Sequence, residues 1–312
     1  MLNSDSFDIP ILLITFNRIH TTKRVFEKIR EQKPKRLYLA SDGAREHKNG
    51  EYSKVQKVRE FLINNIDWEC EVQTLFQKTN LGCNYGPHNA ITWFFEHEEQ
   101  GIILEDDCVP TKSFFMYCEN LLNYYKLDLR VFTIGGFNSL NYFNTNESYF
   151  FTKLPMIWGW ATWRNRWNSN LETLHNFKEI VKNPIIDKIT SDISVSKIIK
   201  QNALQAYNNE ADSWDYIWTF TCFINNALCT VPHKNLIENI GFGPDSTHTS
   251  TSHENKKIIA YEIDQNLIHP KIILPDLIHD NFVYKDVLNW KSLNEKITDP
   301  NHIFKVLRSR FS

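Results

Sequence analysis

The sequence has no surplus of charge of either sign, no long apolar run and no cysteines at metal-binding spacing, and each absence removes a class of function. Lys plus Arg total 35 against 37 Asp plus Glu in 312 residues, so the basic excess of a nucleic-acid-binding protein is missing and no nucleic-acid partner is expected. The longest apolar run, residues 9–14, falls far short of the ~20 residues that cross a bilayer. Residues 1–8 lack the basic start of a secretory signal. The expectation is a soluble, cytoplasmic chain. Its six cysteines form no CxxC pair and have no His at zinc-finger spacing, which reads as free, mostly buried thiols. Neither GxGxxG nor GxxxxGK[ST] occurs, so a dinucleotide fingerprint and a P-loop are both excluded. No repeat, low-complexity tract or Pro/Gly/Ser linker divides the chain.

What is present is an alternation of strand and helix signals. Residues 10–16 form an apolar run of strand length, the pattern of a parallel strand covered on both faces. With Thr21 or Thr22 as cap, Val25, Phe26 and Ile29 recur at helical spacing. Residues 36–40 return as a strand that runs into Ser41-Asp42-Gly43, a turn signal. Ser53 opens a second helix, residues 71–76 a third strand, and Gly86-Pro87 a third helix. Residues 101–104 are a buried fourth strand that stops at Glu105-Asp106-Asp107, and Thr111 caps the helix that follows. Four such units predict an α/β fold with a mostly parallel central sheet and helices on both faces. Aromatics make up 13% of the chain, with nine Trp, and flat rings suit the holding of sugars or bases. From about residue 138 the chain becomes Trp- and Asn-rich, with helices expected at 161–167, 194–208 and 216–226.

Ligands of parallel sheets sit beyond the carboxyl ends of the strands. Three such ends are polar here: Thr15-Phe16-Asn17-Arg18, Ser41-Asp42-Gly43 and Glu105-Asp106-Asp107. Three adjacent carboxylates repel one another, and a hard divalent cation relieves that cost; Mg²⁺ or Mn²⁺ takes one or two carboxylates and completes its shell with water and phosphate. The alternative is a solvated acidic turn near a helix N-terminus. Trp160, Trp163 and Trp167 share one face if the segment is helical, which serves core packing or stacking on a sugar. Asp215 is either the cap of the helix at 216–226 or a base. The last residues, with Lys305, Arg308 and Arg310 among apolar neighbours, suit a docked basic helix or a peripheral membrane contact.

The tips just described, together with Trp158-Gly159-Trp160-Ala161-Thr162-Trp163, Trp214-Asp215-Tyr216-Ile217-Trp218 and the segment from Asn239 to His248, resemble GT-A glycosyltransferases across roughly residues 9–250. The resemblance is to the inverting N-acetylglucosaminyltransferase I family and its bacterial relatives. It implies a GT-A-type fold in which residues 1–137 form the donor half, residues 138–253 the acceptor and catalytic half of the same domain, and residues 254–312 a C-terminal extension. It further implies transfer from a UDP-sugar, UDP-GlcNAc among the candidates, to a hydroxyl on a glycan, a lipid-linked glycan or a protein, with Mn²⁺ or Mg²⁺ as cofactor.

The roles so implied fall on single positions. Asp107 is the metal ligand, with Asp106 and Glu105 near the donor's ribose and sugar. Asp42 reads the uracil edge, while Thr15, Phe16 and Arg18 line base and diphosphate. His88 falls in the uridine site. Gly243, Ser246 and His248 belong to a segment that orders over the donor, His248 being either a metal or diphosphate contact or a loop residue. Asp215 takes the acceptor proton, although an ordinary aspartate, pKa about 3.9, is a weak base near neutrality. Trp158, Trp160 and Trp214 face the acceptor. The alternatives carried beside this reading are a sugar-phosphate nucleotidyltransferase, a noncatalytic carbohydrate-binding protein and a metal-dependent phosphohydrolase. Asn, Lys and Ile richness suits a bacterial enzyme of surface-polysaccharide synthesis or protein modification.

Overall fold

The computed structural model describes residues 7–140, 146–242 and 259–287. The first half builds a parallel sheet by right-alternating units: β1 (Ile11–Thr15), α1 (Ile19–Gln32), β2 (Arg36–Ser41), α2 (Glu51–Asn64), β3 (Glu71–Phe76), α3 (Gly82–His97) and β4 (Gln100–Glu105). Successive side chains of a strand point to opposite faces, and both faces are apolar here. Ile11 and Leu13 of β1, Leu37 and Leu39 of β2, and Ile102 and Leu104 of β4 enter one core with α1 and α2. Leu12, Tyr38 and Ile103 enter the opposite core, against Ala90, Ile91, Phe94 and Phe95 of α3.

The second half adds β5 (Cys108–Pro110), α4 (Lys112–Tyr124), β6 (Val131–Gly135), β7 (Tyr149–Thr152), β8 (Trp160–Trp163) and α5 (Arg164–His175). There follow α6 (Phe177–Ile180), a 3₁₀ turn at Pro184–Lys188, α7 (Ile193–Tyr207), α8 (Asp215–Ile224), β9 (Leu228–Pro232), β10 (Ile237–Asn239) and α9 (Leu277–Val287). The main sheet has eight strands in the order β3-β2-β1-β4-β8-β6-β9-β7. It is mixed, because β8 pairs antiparallel with both β4 and β6, and β7 antiparallel with β9. The α/β class expected from the sequence is what the chain adopts. One sheet crosses residue 137 without interruption, and a small antiparallel pair, β5 with β10, lies beside the end of β4.

Two local readings are corrected. The tryptophans do not share a helical face: Trp160 and Trp163 lie in strand β8, where a spacing of three turns them to opposite sides of the sheet. Trp163 joins the core under α4, and Trp160 joins Trp167 in the other. Nor do Thr21 and Thr22 cap α1; both hydroxyls donate back to the Arg18 carbonyl, at 3.1 and 2.8 Å, from inside the helix. Similarly, α2 starts at Glu51 rather than Ser53, and α3 a full turn before Gly86-Pro87.

The cap of α4 also comes from elsewhere. Thr111 makes no side-chain cap bond; instead the Glu262 carboxylate accepts from the Lys112 and Ser113 amides at 3.0 and 2.7 Å and from the Ser113 hydroxyl. These amides are orphan donors of the first turn, and a carboxylate there also opposes the helix dipole favourably. Glu262→Ala is expected to cost about 1 kcal/mol, read as a lower midpoint in urea unfolding.

Candidate functional site

The carboxyl ends of β1, β2 and β4 open on one cavity of about 190 Å³, as the topology of a parallel sheet requires. Thr15, Phe16 and Arg18 approach it from β1, Asp42 and Arg45 from β2, and Glu105 and Asp106 from β4. Thr15 is buried, and its hydroxyl donates to the Ala40 carbonyl at 3.0 Å, tying the two central strand ends together.

At the acidic end the three carboxylates have different partners. The Arg18 guanidinium forks between Asp106 and Asp107, 2.8 Å from Asp107 Oδ2. The Phe16 amide donates to Asp106 at 3.3 Å, and the Cys108 thiol to Asp107 Oδ1 at 3.5 Å. The Glu105 carboxylate makes no hydrogen bond or ion pair among the described residues. Burial, then the neighbouring Asp107, Asp106 and Asp215 charges, push the Glu105 carboxyl up. Burial also raises Asp106, against the pull of Arg18. For Arg18, burial works downward and the two aspartates overcome it, so its pKa rises. One guanidinium against the two aspartates, with the raised Glu105 carboxyl beside them, leaves a surplus of negative charge and a group of hard oxygen donors. Among the described residues no three His, Cys, Asp or Glu side chains converge as a metal cage.

The segment after β10 closes on this corner. The Ile240 amide donates to the Asp107 carbonyl at 2.9 Å. A Cβ on Gly241 would lie 2.1 Å from Asp107 Oδ2 and 3.2 Å from Arg18, so only glycine lets the backbone pass. Gly243, Ser246 and His248 lie outside the described residues.

Asp42 lines the cavity, but its oxygens are engaged. Oδ1 accepts from the Gly43 and Leu81 amides at 2.8 and 2.9 Å. Oδ2 accepts from the Asn80 amide group at 2.8 Å and from the Leu81 and Gly82 amides at 3.1 Å. A carboxylate has about four lone-pair sites, and these contacts use them. Asp42 therefore locks the start of α3 to the tip of β2, and the expected reading of a base edge by its carboxylate is corrected. Arg59 assists from α2, donating to the Ser41, Asp42 and Gln77 carbonyls at 3.2, 3.0 and 2.7 Å.

On the remaining wall, Arg45 lies over the Phe16 ring at 5.3 Å, and Glu51 holds it through Nε at 2.9 Å and its backbone amide at 2.8 Å. Arginine bonds bring the Glu51 carboxyl down to about 2. Gln77 lines the cavity with a side-chain amide that has no partner among the described residues. Arg45, Glu51, Gln77, Arg59 and Asp212 were not singled out from the sequence. Arg45 and Gln77 were legible in principle, since each follows a strand tip within a few residues.

A second cavity, about 250 Å³, carries Asp215 in its wall with Trp158, Tyr216 and Thr219. Asp215 is the first residue of α8, the cap position falling on Trp214. The Ser213 hydroxyl donates to its Oδ1. Its charge is among those that push the Glu105 carboxyl up, while the two cavities have no lining residue in common.

Three other expectations move. His88 does not line the first cavity; its ring lies 5.4 Å from Trp167, with Nε2 buried and unpartnered and its pKa lowered by burial. Trp160 and Trp214 are 1% and 3% exposed and packed against each other, centroids 5.8 Å apart. Neither ring can meet an acceptor, since its faces are covered by other side chains. Of the three tryptophans, Trp158 alone reaches the second cavity.

No protein-family model matches the chain, and no curated protein matches it. Among solved structures it is similar to HddC from Yersinia pseudotuberculosis, with 11% identity, 50% of this chain and 77% of that chain covered, and a TM-score of 0.30. Among the described residues no helix is long and apolar enough to cross a membrane.

Proposed function

We propose that the chain is an inverting glycosyltransferase with a GT-A-type fold, moving a sugar from a UDP donor to a hydroxyl of an acceptor glycan, lipid-linked glycan or protein. The observation that supports this reading is the first cavity itself, framed by the tips of β1, β2 and β4 and carrying Glu105 and Asp106 in its wall; Asp215 lines a separate cavity. The first cavity takes the nucleotide. Phe16 and Arg45 offer a stacked ring and guanidinium to base or diphosphate, with Glu51 fixing Arg45 in place. Gln77 offers one acceptor and two donors to the base edge, the part for which Asp42 has no capacity left.

Mn²⁺ or Mg²⁺ fits the acidic end as an open site with Asp107 as ligand, because the local charge surplus and oxygen donors suit a hard cation that keeps water and phosphate in its shell. Such an ion, when bound, supplies positive charge toward the departing diphosphate. Asp215 accepts the acceptor's hydroxyl proton at its carboxylate as the oxygen attacks, and a single displacement from that side inverts the anomeric carbon.

The deciding experiment is a screen of UDP-sugars in Mn²⁺, reading UDP release and the configuration of the released or transferred sugar. UDP with an inverted sugar is the expected result. Pyrophosphate formed from UTP and a sugar phosphate instead makes the chain a nucleotidyltransferase. Sugar binding without nucleotide binding makes it a carbohydrate-binding protein.

A further inference from the structure

The second cavity differs from the first in the chemistry of its wall. Phe137, Leu154, Met156, Ile157 and Trp158 line it, and Ile199 of α7 adds to them. The polar groups of the lining are Asn202 of α7 and Asp215, Tyr216 and Thr219 of α8. Leu154, Met156 and Ile199 are buried, at 3%, 5% and 1% exposure, so the apolar wall is part of the packed body rather than a surface patch. At about 250 Å³ the cavity exceeds the ~150 Å³ that accommodates benzene in an apolar protein interior.

A hydroxyl-rich sugar pressed against such a wall would leave several of its hydroxyls without partners, and unpaired buried polar groups are costly. A molecule with an apolar portion beside one reactive hydroxyl loses nothing there. We infer that the second cavity binds an acceptor whose hydroxyl is borne next to an apolar aglycone, with the aglycone on the wall from Leu154 to Trp158 and the hydroxyl toward Asp215. The assignment rests on the transferase reading for the word acceptor; the ligand chemistry rests on the wall alone.

The test is calorimetric binding of methyl, hexyl and phenyl β-glucosides to the full chain, without donor, beside a separate titration with UDP in Mn²⁺. Hexyl or phenyl glucoside is expected to bind at least tenfold more tightly than methyl glucoside, and the tighter of the two shows whether chain or ring is preferred. Ile157→Lys should abolish the difference while UDP binding and the melting temperature stay put. Should that variant fold poorly, Ile157→Thr, which keeps the branching at Cβ and brings a hydroxyl into the wall, should narrow the preference several-fold. Equal affinities for the three glucosides, or a hexyl or phenyl preference untouched by the Ile157 variants, would overturn the inference. Glucoside discrimination without any UDP binding would leave the cavity assignment standing and remove the transferase reading; UDP binding without discrimination would do the reverse.

Discussion

Asp215→Asn should bind UDP as tightly as the parent chain and lose about 10²–10⁴ in turnover, the usual worth of general-base assistance. The substitution keeps size and shape and removes only the proton-accepting carboxylate. Asp215 opens α8, where the helix dipole favours its charge, and the Ser213 hydroxyl bonded to Oδ1 holds its orientation. An amide can still accept that bond, so the local geometry has a reason to persist. Asp107→Ala is the complementary change. It removes the oxygen donors beside Arg18 and should abolish the part of UDP affinity that depends on Mn²⁺, seen by calorimetry with and without the ion. If Asp215→Asn turns over near the parent rate, Asp215 has no part in proton transfer; if it instead loses UDP binding, its role is structural.

The parallel half of the fold was legible because its signal is local. Residues 71–76 carry strand alternation and are β3, and the apolar runs at residues 10–16 and 101–104 contain or lie within β1 and β4. Polar residues at strand tips pointed to the first cavity for the same reason. What could not be read were contacts between groups far apart in sequence. The start of α3 is held by Asp42, whose partners Leu81 and Gly82 lie 39 and 40 positions away, and by Asp212, which accepts from the Asn84 amide at 2.6 Å across 128 positions. Those carboxylates hold a helix start that lies a full turn before the Gly86-Pro87 signal. Trp160 illustrates a different limit: spacings of three and four fit a helix, yet Trp-Ala-Thr-Trp pairs as an interior strand with apolar layers on both sides. Pattern reports that a ring is buried or periodic; which partners bury it depends on topology.

Arg18→Met should destabilise the chain by about 3 kcal/mol, toward the low end for breaking a buried ion pair. The reason is asymmetry. Arg18 is the cation that Asp106 and Asp107 bond, and the side chains of the three are 22%, 4% and 15% exposed. Methionine keeps much of the aliphatic volume but leaves both aspartates without a counter-charge in a shielded corner. The penalty is then mainly the desolvation of uncompensated charge, which makes a second prediction inside the first. Adding Asp106→Asn should recover part of the loss, since the asparagine oxygen can still accept from the Phe16 amide that now bonds Asp106 at 3.3 Å. In the parent background Asp106→Asn alone should destabilise, because it takes a partner from Arg18. A cycle of these three variants in urea unfolding isolates the coupling. Additive losses, or an Arg18→Met variant within about 0.5 kcal/mol of the parent, a typical surface effect, would mean that the guanidinium does not neutralise this corner.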